Sequence, residues 1–109
     1  LASLNTARGK GQDAAIKANL ANARAQAELY YDNNSSSYDP DGATNTGVCT
    51  QTGGISANVT AATGVCFSSA DAWIVTAPLQ TGYYCVDNSG ASKEVTAAAT
   101  AITDTCATL

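Results

Sequence analysis

The 109 residues predict an α+β fold, a long N-terminal α-helix packed on a small antiparallel β-sheet with a disulfide-closed C-terminal region. Three observations predict it. Apolar residues recur at helical spacing through most of the first third of the chain. β-Branched and aromatic runs bounded by Gly, Pro and an Asn88-Ser-Gly90 turn occupy the last third. Four cysteines, all from Cys49 onward, accompany a complete lack of histidine. The length fits one domain with a modest core. Within it, residues 1–31 are the helix, 32–71 a connecting loop region with a short helix, and 72–109 the antiparallel sheet and its closed tail.

The helix has two apolar faces. At about 100° per residue, Ile16, Leu20, Ala23, Ala27 and Tyr30 fall on one side and Ala14, Ala18, Ala21, Ala25 and Leu29 on the other. Asp13, Lys17, Arg24 and Glu28 form one seam between them, and Asn19, Asn22 and Gln26 the other. The bulky face suits packing on a sheet. The alanine face suits the close approach of another helix, or serves simply as helix-favouring surface. Asp13 and Lys17 stand at i and i+4, an order that favours an ion pair worth about 0.3 kcal/mol. Gly9 and Gly11 each cost a helix about 1 kcal/mol relative to Ala, so residues 1–12 are expected to fray or bend when isolated.

Asp32-Asn-Asn-Ser-Ser-Ser37 is a helix stop, and Asp39-Pro-Asp-Gly42 a turn. Tyr30, Tyr31 and Tyr38 are expected to pin this segment to the body. A short helix is expected near Ile55 to Thr60. Ala72 to Ala77, ended by Pro78, reads as a strand. Gly82 to Asp87 and Ser92 to Ala97 read as a hairpin around the Asn88 turn. Alternation sets Trp73 and Val75 on one face, with Val86 inward beside them. Residues 98–109 form a loop or short edge strand held by Cys106.

An even cysteine count in a small chain with few charges and abundant Ala, Thr, Ser and Gly fits an exported, disulfide-bonded protein. Three pairings are possible. Cys49–Cys66 with Cys85–Cys106 is favoured because each bond closes a local loop, worth about 3 kcal/mol apiece. The absence of His and of any C-x-x-C pair argues against zinc binding and redox catalysis. No catalytic residue, cofactor site or metal site is expected. Ser35–Ser37 read as solvated loop. Asp32, Asp39 and Asp41 lack the spacing of a calcium loop and read as turn chemistry. Asn33, Asn34 and Asn58 match N-x-[ST] at chance level, and Trp73, Tyr83 and Tyr84 read as core.

Charge is uneven. Up to residue 24, Arg8, Lys10, Lys17 and Arg24 outweigh Asp13 for a net +3, while the remainder, with Lys93 against eight carboxylates, carries −7. A basic end and an acidic body favour head-to-tail contact between copies, or a basic end near anionic lipid, and do not suggest nucleic-acid binding. The chain lacks Met even at position 1, so processing or truncation is expected.

The order of these elements resembles a type IV pilin, or a pseudopilin of the type II secretion system. Leu1-Ala-Ser-Leu-Asn-Thr-Ala-Arg8, followed by the run from Asp13 to Asp32, is similar to the stretch just after the hydrophobic segment of short-class bacterial pilins. Gly82-Tyr-Tyr-Cys-Val-Asp87 with the later Cys106 is similar to a pilin strand and its disulfide-closed C-terminal region. The resemblance implies a leader cut by a dedicated peptidase, a methylated N-terminus, and a hydrophobic half-helix with a glutamate near its start, none of which lies within these residues. It implies a structural subunit anchored in the inner membrane, then polymerised by the pilus assembly machinery into an extracellular filament of its own copies. Ala14, Ala18, Ala21, Ala25 and Leu29 would continue the helix-to-helix packing of the filament, and Gly9 and Gly11 would loosen during assembly. The expectation from another class is a small secreted disulfide-bonded binding module, such as an adhesin or inhibitor.

Overall fold

Helix α1 runs unbroken from Ala2 to Asn33 in the computed structural model, which describes residues 2–42 and 44–109. Leu1, part of the expected helix, and Ala43, part of the expected connecting region, lie outside the described residues. The 32 residues of α1 amount to about 48 Å, and the longest dimension of the molecule is 51 Å. One helix therefore sets the length of the protein.

Helical structure continues through both Gly9 and Gly11. Residues 3–8 are exposed, and Gly9 is the first buried position, so about two turns project past the body. A Cβ at Gly9 would lie 3.0 Å from Gln80 Oε1, whereas one at Gly11 would meet nothing within 4 Å. Gly9 thus lies against the Gln80 side chain, while Gly11 has no such neighbour. Gly11→Ala is expected to stabilise the domain by about 0.5–1 kcal/mol. A thermal melt should show a midpoint several degrees higher, at about 4–8 °C per kcal/mol.

The expected Asp13–Lys17 pair is replaced by two long-range contacts. Asp13 Oδ1 accepts from the Gln80 N–H at 2.9 Å, and Lys17 Nζ pairs with Glu94 at 3.4 Å while lying 5.6 Å from the centre of the Tyr84 ring. Tertiary partners here outcompete the weak same-helix pair. Further along, the Arg24 guanidinium donates to Ala91 O and to Ser92 Oγ, and Gln26 Nε2 donates to Gly53 O. At the far end Asn34 Nδ2 donates to Tyr30 O at 2.8 Å and the Ser36 N–H to Tyr31 O at 3.0 Å. Ser35 and Ser36 take left-handed φ of 58° and 57°. Those bonds satisfy carbonyls that the helix end would otherwise leave open.

The connecting region holds a one-turn helix α2 (Gly47–Thr50) and a helix α3 (Ser56–Ala61), the latter close to the expected position. Tyr31 and Tyr38 bring their ring centres to 4.6 Å, and the Tyr38 hydroxyl donates to Glu28 Oε1 at 2.8 Å. Burial first, then the Glu28 hydrogen bond and charge, push the Tyr38 phenol above its ordinary pKa. The Trp73 indole N–H acts on that phenol in the opposite sense, but makes no well-formed hydrogen bond among the described residues. Asp39 is buried. Its carboxylate accepts from Ser68 Oγ at 2.8 Å and from Thr46 Oγ1 at 3.2 Å. Gly47 is required beside it: φ is +33°, and a Cβ there would stand 2.1 Å from Tyr38 O and 2.3 Å from Asp39 Oδ1.

The region expected to be loop up to residue 71 also contains a strand, β1 (Val65–Ser68). Its four residues are too few to show alternation, and only the neighbouring strand β2 (Trp73–Pro78), paired through Cys66↔Val75 and Phe67↔Ile74, makes it a strand. Strands β3 (Tyr83–Asp87) and β4 (Ser92–Val95) complete an antiparallel meander in the order β1-β2-β3-β4. Val75 pairs with Val86 and Pro78, the last residue of its strand, with Tyr83. β4 stops two residues short of the expected Ala97.

Five of the six residues of β2 are buried, so both faces of the sheet are covered. Trp73, Val75, Ala77 and Val86 share one cluster with Leu20, Ala23 and Ala27 of α1. Ile74, Cys85 and Val95 share a second with Ala99 and Cys106, joined by Phe67, Ile102 and Leu109. The tail, residues 98–109, is a loop laid across the outer face of the sheet. The Ala99 N–H donates to the buried Thr76 Oγ1 at 3.0 Å and the Cys106 N–H to Asp87 Oδ2 at 2.9 Å. Disulfides join Cys49 to Cys66 and Cys85 to Cys106. The first ties α2 to β1, the second ties β3 to the tail.

Burial alone pushes the Asp87 carboxyl up. Hydrogen bonds from the Ser89 hydroxyl and from the N–H groups of Cys106, Ser89 and Ala91 outweigh it and hold its pKa below the ordinary value. At Asp104, N–H donors from Thr100 and Ala101 lower the carboxyl likewise. A carboxyl whose folded pKa is depressed stabilises the fold above its unfolded pKa of about 3.9, and that stability is lost as pH falls through the folded value. Acid titration of wild type should therefore show stability falling below about pH 5. In Asp87→Asn, which keeps only one acceptor oxygen, the neutral-pH stability should be lower by about 1–3 kcal/mol and the acid slope shallower, as read by urea unfolding at each pH.

Candidate functional site: the outer face of the first helix

The inner face of α1 is fully used. Leu20, Ala23, Ala27 and Tyr30 are buried and Ile16 packs against them. Turning half a circle at about 100° per residue reaches Ala14, Ala18, Ala21, Ala25 and Leu29, all of them exposed, Leu29 to 51%. Among the described residues no element of the body covers them, because the sheet and both short helices lie on the Leu20 side.

The same face extends further than the alanine pattern suggested. Leu4, Ala7 and Gly11 lie on it too, and all three are exposed, Leu4 to 56%. From Leu4 the positions 4, 7, 11, 14, 18, 21 and 25 advance by alternate steps of three and four, the spacing of a seam between helices. None is charged, and all but Leu4 are Ala or Gly. With Leu29 the stripe is about 38 Å long, and Asn22 lies at its edge. The sequence signal for Leu4, Ala7 and Gly11 is this heptad step, which the two glycines make faint by weakening the local helix pattern. Small side chains allow two helix axes to approach to the short end of the ordinary separation of about 8–10 Å.

The other candidates are accounted for within the fold. Ser37 Oγ accepts from the Asp39 N–H at 3.2 Å. Asp32 is exposed, Asp39 is held by two hydroxyls, and Asp41 accepts from Thr46 Oγ1 at 3.2 Å. Among the described residues no three His, Cys, Asp or Glu side chains gather as a metal site. Asn33 is exposed at the end of α1, Asn34 caps that end, and Asn58 is half-buried in α3. Trp73 is buried in the helix-side core, Tyr84 packs against that core, and Tyr83 packs against the tail side. No described helix is long and apolar enough to cross a membrane. Comparison with protein-family models, with curated proteins and with solved structures finds no match for this chain.

Proposed function

We propose that this protein is a structural subunit of the type IV pilin class that polymerises with copies of itself into an extracellular filament, and that α1 is its packing element. One observation carries the reading. A single helix spends one face on its own core and presents a second, uncharged and small-residued face along nearly its whole length, from Leu4 to Leu29. Exposed helix surface in a monomer is ordinarily rich in charge. The two disulfides suit a subunit exposed outside the cell. Arg8 and Lys10 near one end of α1, against Glu28 and Asp32 near the other, favour a lengthwise stagger between neighbours. In-register parallel packing would set like charges side by side. Before assembly the subunit is held in the inner membrane by a segment preceding Leu1. A pseudopilin of a secretion system would use the same face.

The test uses the full-length product of the gene. Ala21→Glu or Ala25→Glu should leave the domain folded, with unfolding free energy within about 0.5 kcal/mol of wild type, while filaments disappear from electron micrographs. Normal filaments bearing either substitution would refute the proposed packing face. A gene encoding an ordinary signal peptide, with no apolar segment of about 20 residues before Leu1, would refute the pilin reading altogether.

A further inference from the structure

We propose that the projecting end of α1 seats on an anionic phospholipid bilayer and stands the rest of the molecule off from it. Residues 3–8 are exposed and precede the body. They include Leu4, a large apolar side chain exposed to 56%. At 100° per residue, Arg8 and Lys10 fall about 80° to either side of the line through Ala7 and Gly11. Two exposed cations therefore flank the stripe that Leu4 begins. Side chains on a helix lean toward its N-terminus, which brings both cations back toward Leu4.

The fold leaves these two cations uncompensated. Lys17 pairs with Glu94, and Arg24 donates to Ala91 O and Ser92 Oγ. Arg8 and Lys10 make no ion pair among the described residues. Asp13, the first carboxylate of the chain, already accepts from the Gln80 N–H. Carboxylates gather instead at the opposite end of the molecule. Asp32 lies about 36 Å beyond Arg8 along the helix axis. Glu28 accepts from the Tyr38 hydroxyl there, and Asp39 and Asp41 follow Tyr38 in the chain. The Tyr38 N–H donates to Ala70 O at 3.0 Å, which sets Asp71 at the same end. Folding thus turns an uneven sequence into a molecule charged oppositely at the two ends of its long axis.

The partner follows from this arrangement. At a bilayer surface an apolar side chain enters the boundary of the acyl region, while Arg and Lys keep their charged heads among the phosphates. Leu4 between two cations matches that boundary. Each basic residue near an anionic leaflet strengthens attraction about fivefold. The Debye length at physiological ionic strength is about 8 Å, so the leaflet attracts the projecting end and scarcely repels carboxylates some 36 Å away. A soluble polyanion would engage the cations but leave Leu4 in water. The contact needs only the folded chain and does not rest on the filament reading.

The test is a ¹H–¹⁵N NMR titration of the chain, its N-terminal amine acetylated, with vesicles of phosphatidylcholine alone or mixed equally with phosphatidylglycerol. Salt is held near 0.1 M, where the Debye length is about 10 Å. The mixed vesicles should broaden the resonances of residues 3–10 most and those of Asp32, Asp41 and Asp71 least, and phosphatidylcholine alone should have little effect. Arg8→Gln/Lys10→Gln, changed only at exposed side chains, should keep the thermal midpoint and weaken partition onto the mixed vesicles about tenfold or more. Leu4→Ser should weaken it about threefold or more. Absence of broadening with the mixed vesicles would overturn the proposal. So would equal broadening by phosphatidylcholine alone, broadening centred on other residues, or an undiminished response in the double variant. Equal broadening by heparin, with Leu4→Ser without effect, would assign the two cations to a soluble polyanion instead.

Discussion

Leu20→Ala is expected to lower the unfolding free energy by about 2–5 kcal/mol, in the upper half of that range. Leu20 is fully buried, and its neighbours on the inner face of α1, Ala23 and Ala27, are too small to fill the space it leaves. It shares its cluster with Trp73, Val75 and Val86 of the sheet. Relaxation of α1 toward the sheet would close the cavity and reduce the loss, but the helix is held along its length. Asp13 is fixed to the Gln80 N–H, Arg24 to Ala91 and Ser92, and Gln26 to Gly53. A pinned helix cannot settle, so the cavity term is retained. Urea unfolding checks this. A loss below about 1 kcal/mol would show that the helix does not carry the core. Ala21→Glu, one position along the same helix, is the natural control, because it changes the opposite face.

The second large effect concerns the bond between β3 and the tail. Replacing Cys85 and Cys106 together by Ser should cost about 3 kcal/mol from the loop-closure term alone for a separation of 21 residues. Both positions are fully buried, so the two new hydroxyls add a desolvation cost. The tail has only a few other attachments, chiefly Ala99 to Thr76 and Cys106 to Asp87. Limited proteolysis should therefore cut within residues 98–109 before the rest of the domain. Binding of a hydrophobic dye should rise as Ile74 and Val95 lose their cover. Equal protease resistance in wild type and variant would mean that the tail docks without the bond.

Much of this architecture was legible from composition and spacing, and what was not has identifiable physical causes. The helix was readable because 3.6-residue periodicity accumulates over many turns, and β2 and β3 because Trp73 to Ala77 and Tyr83 to Asp87 are dense in β-branched and aromatic residues. β1 was not readable, since four residues carry almost no pattern and its strand character comes from a partner. The continuity of α1 through its two glycines is not legible locally, since intrinsic propensity lowers the helix signal there and the Gln80 side chain that meets Gly9 is distant in sequence. The same weak local signal conceals Leu4, Ala7 and Gly11 as members of the outer face. The double burial of β2 was hidden too, because a tail of Ala and Thr gives no sign that it will lie across a sheet.

The pairing of the cysteines also bears on how the chain matures. Each disulfide joins consecutive cysteines, the first to the second and the third to the fourth. A chain that emerges from its N-terminus into an oxidising compartment can close Cys49 to Cys66 before Cys85 arrives, and then has only one choice left for Cys106. Correct connectivity follows from order of arrival alone. Oxidation during emergence needs no later reshuffling, whereas random oxidation of the complete unfolded chain must select one connectivity from three.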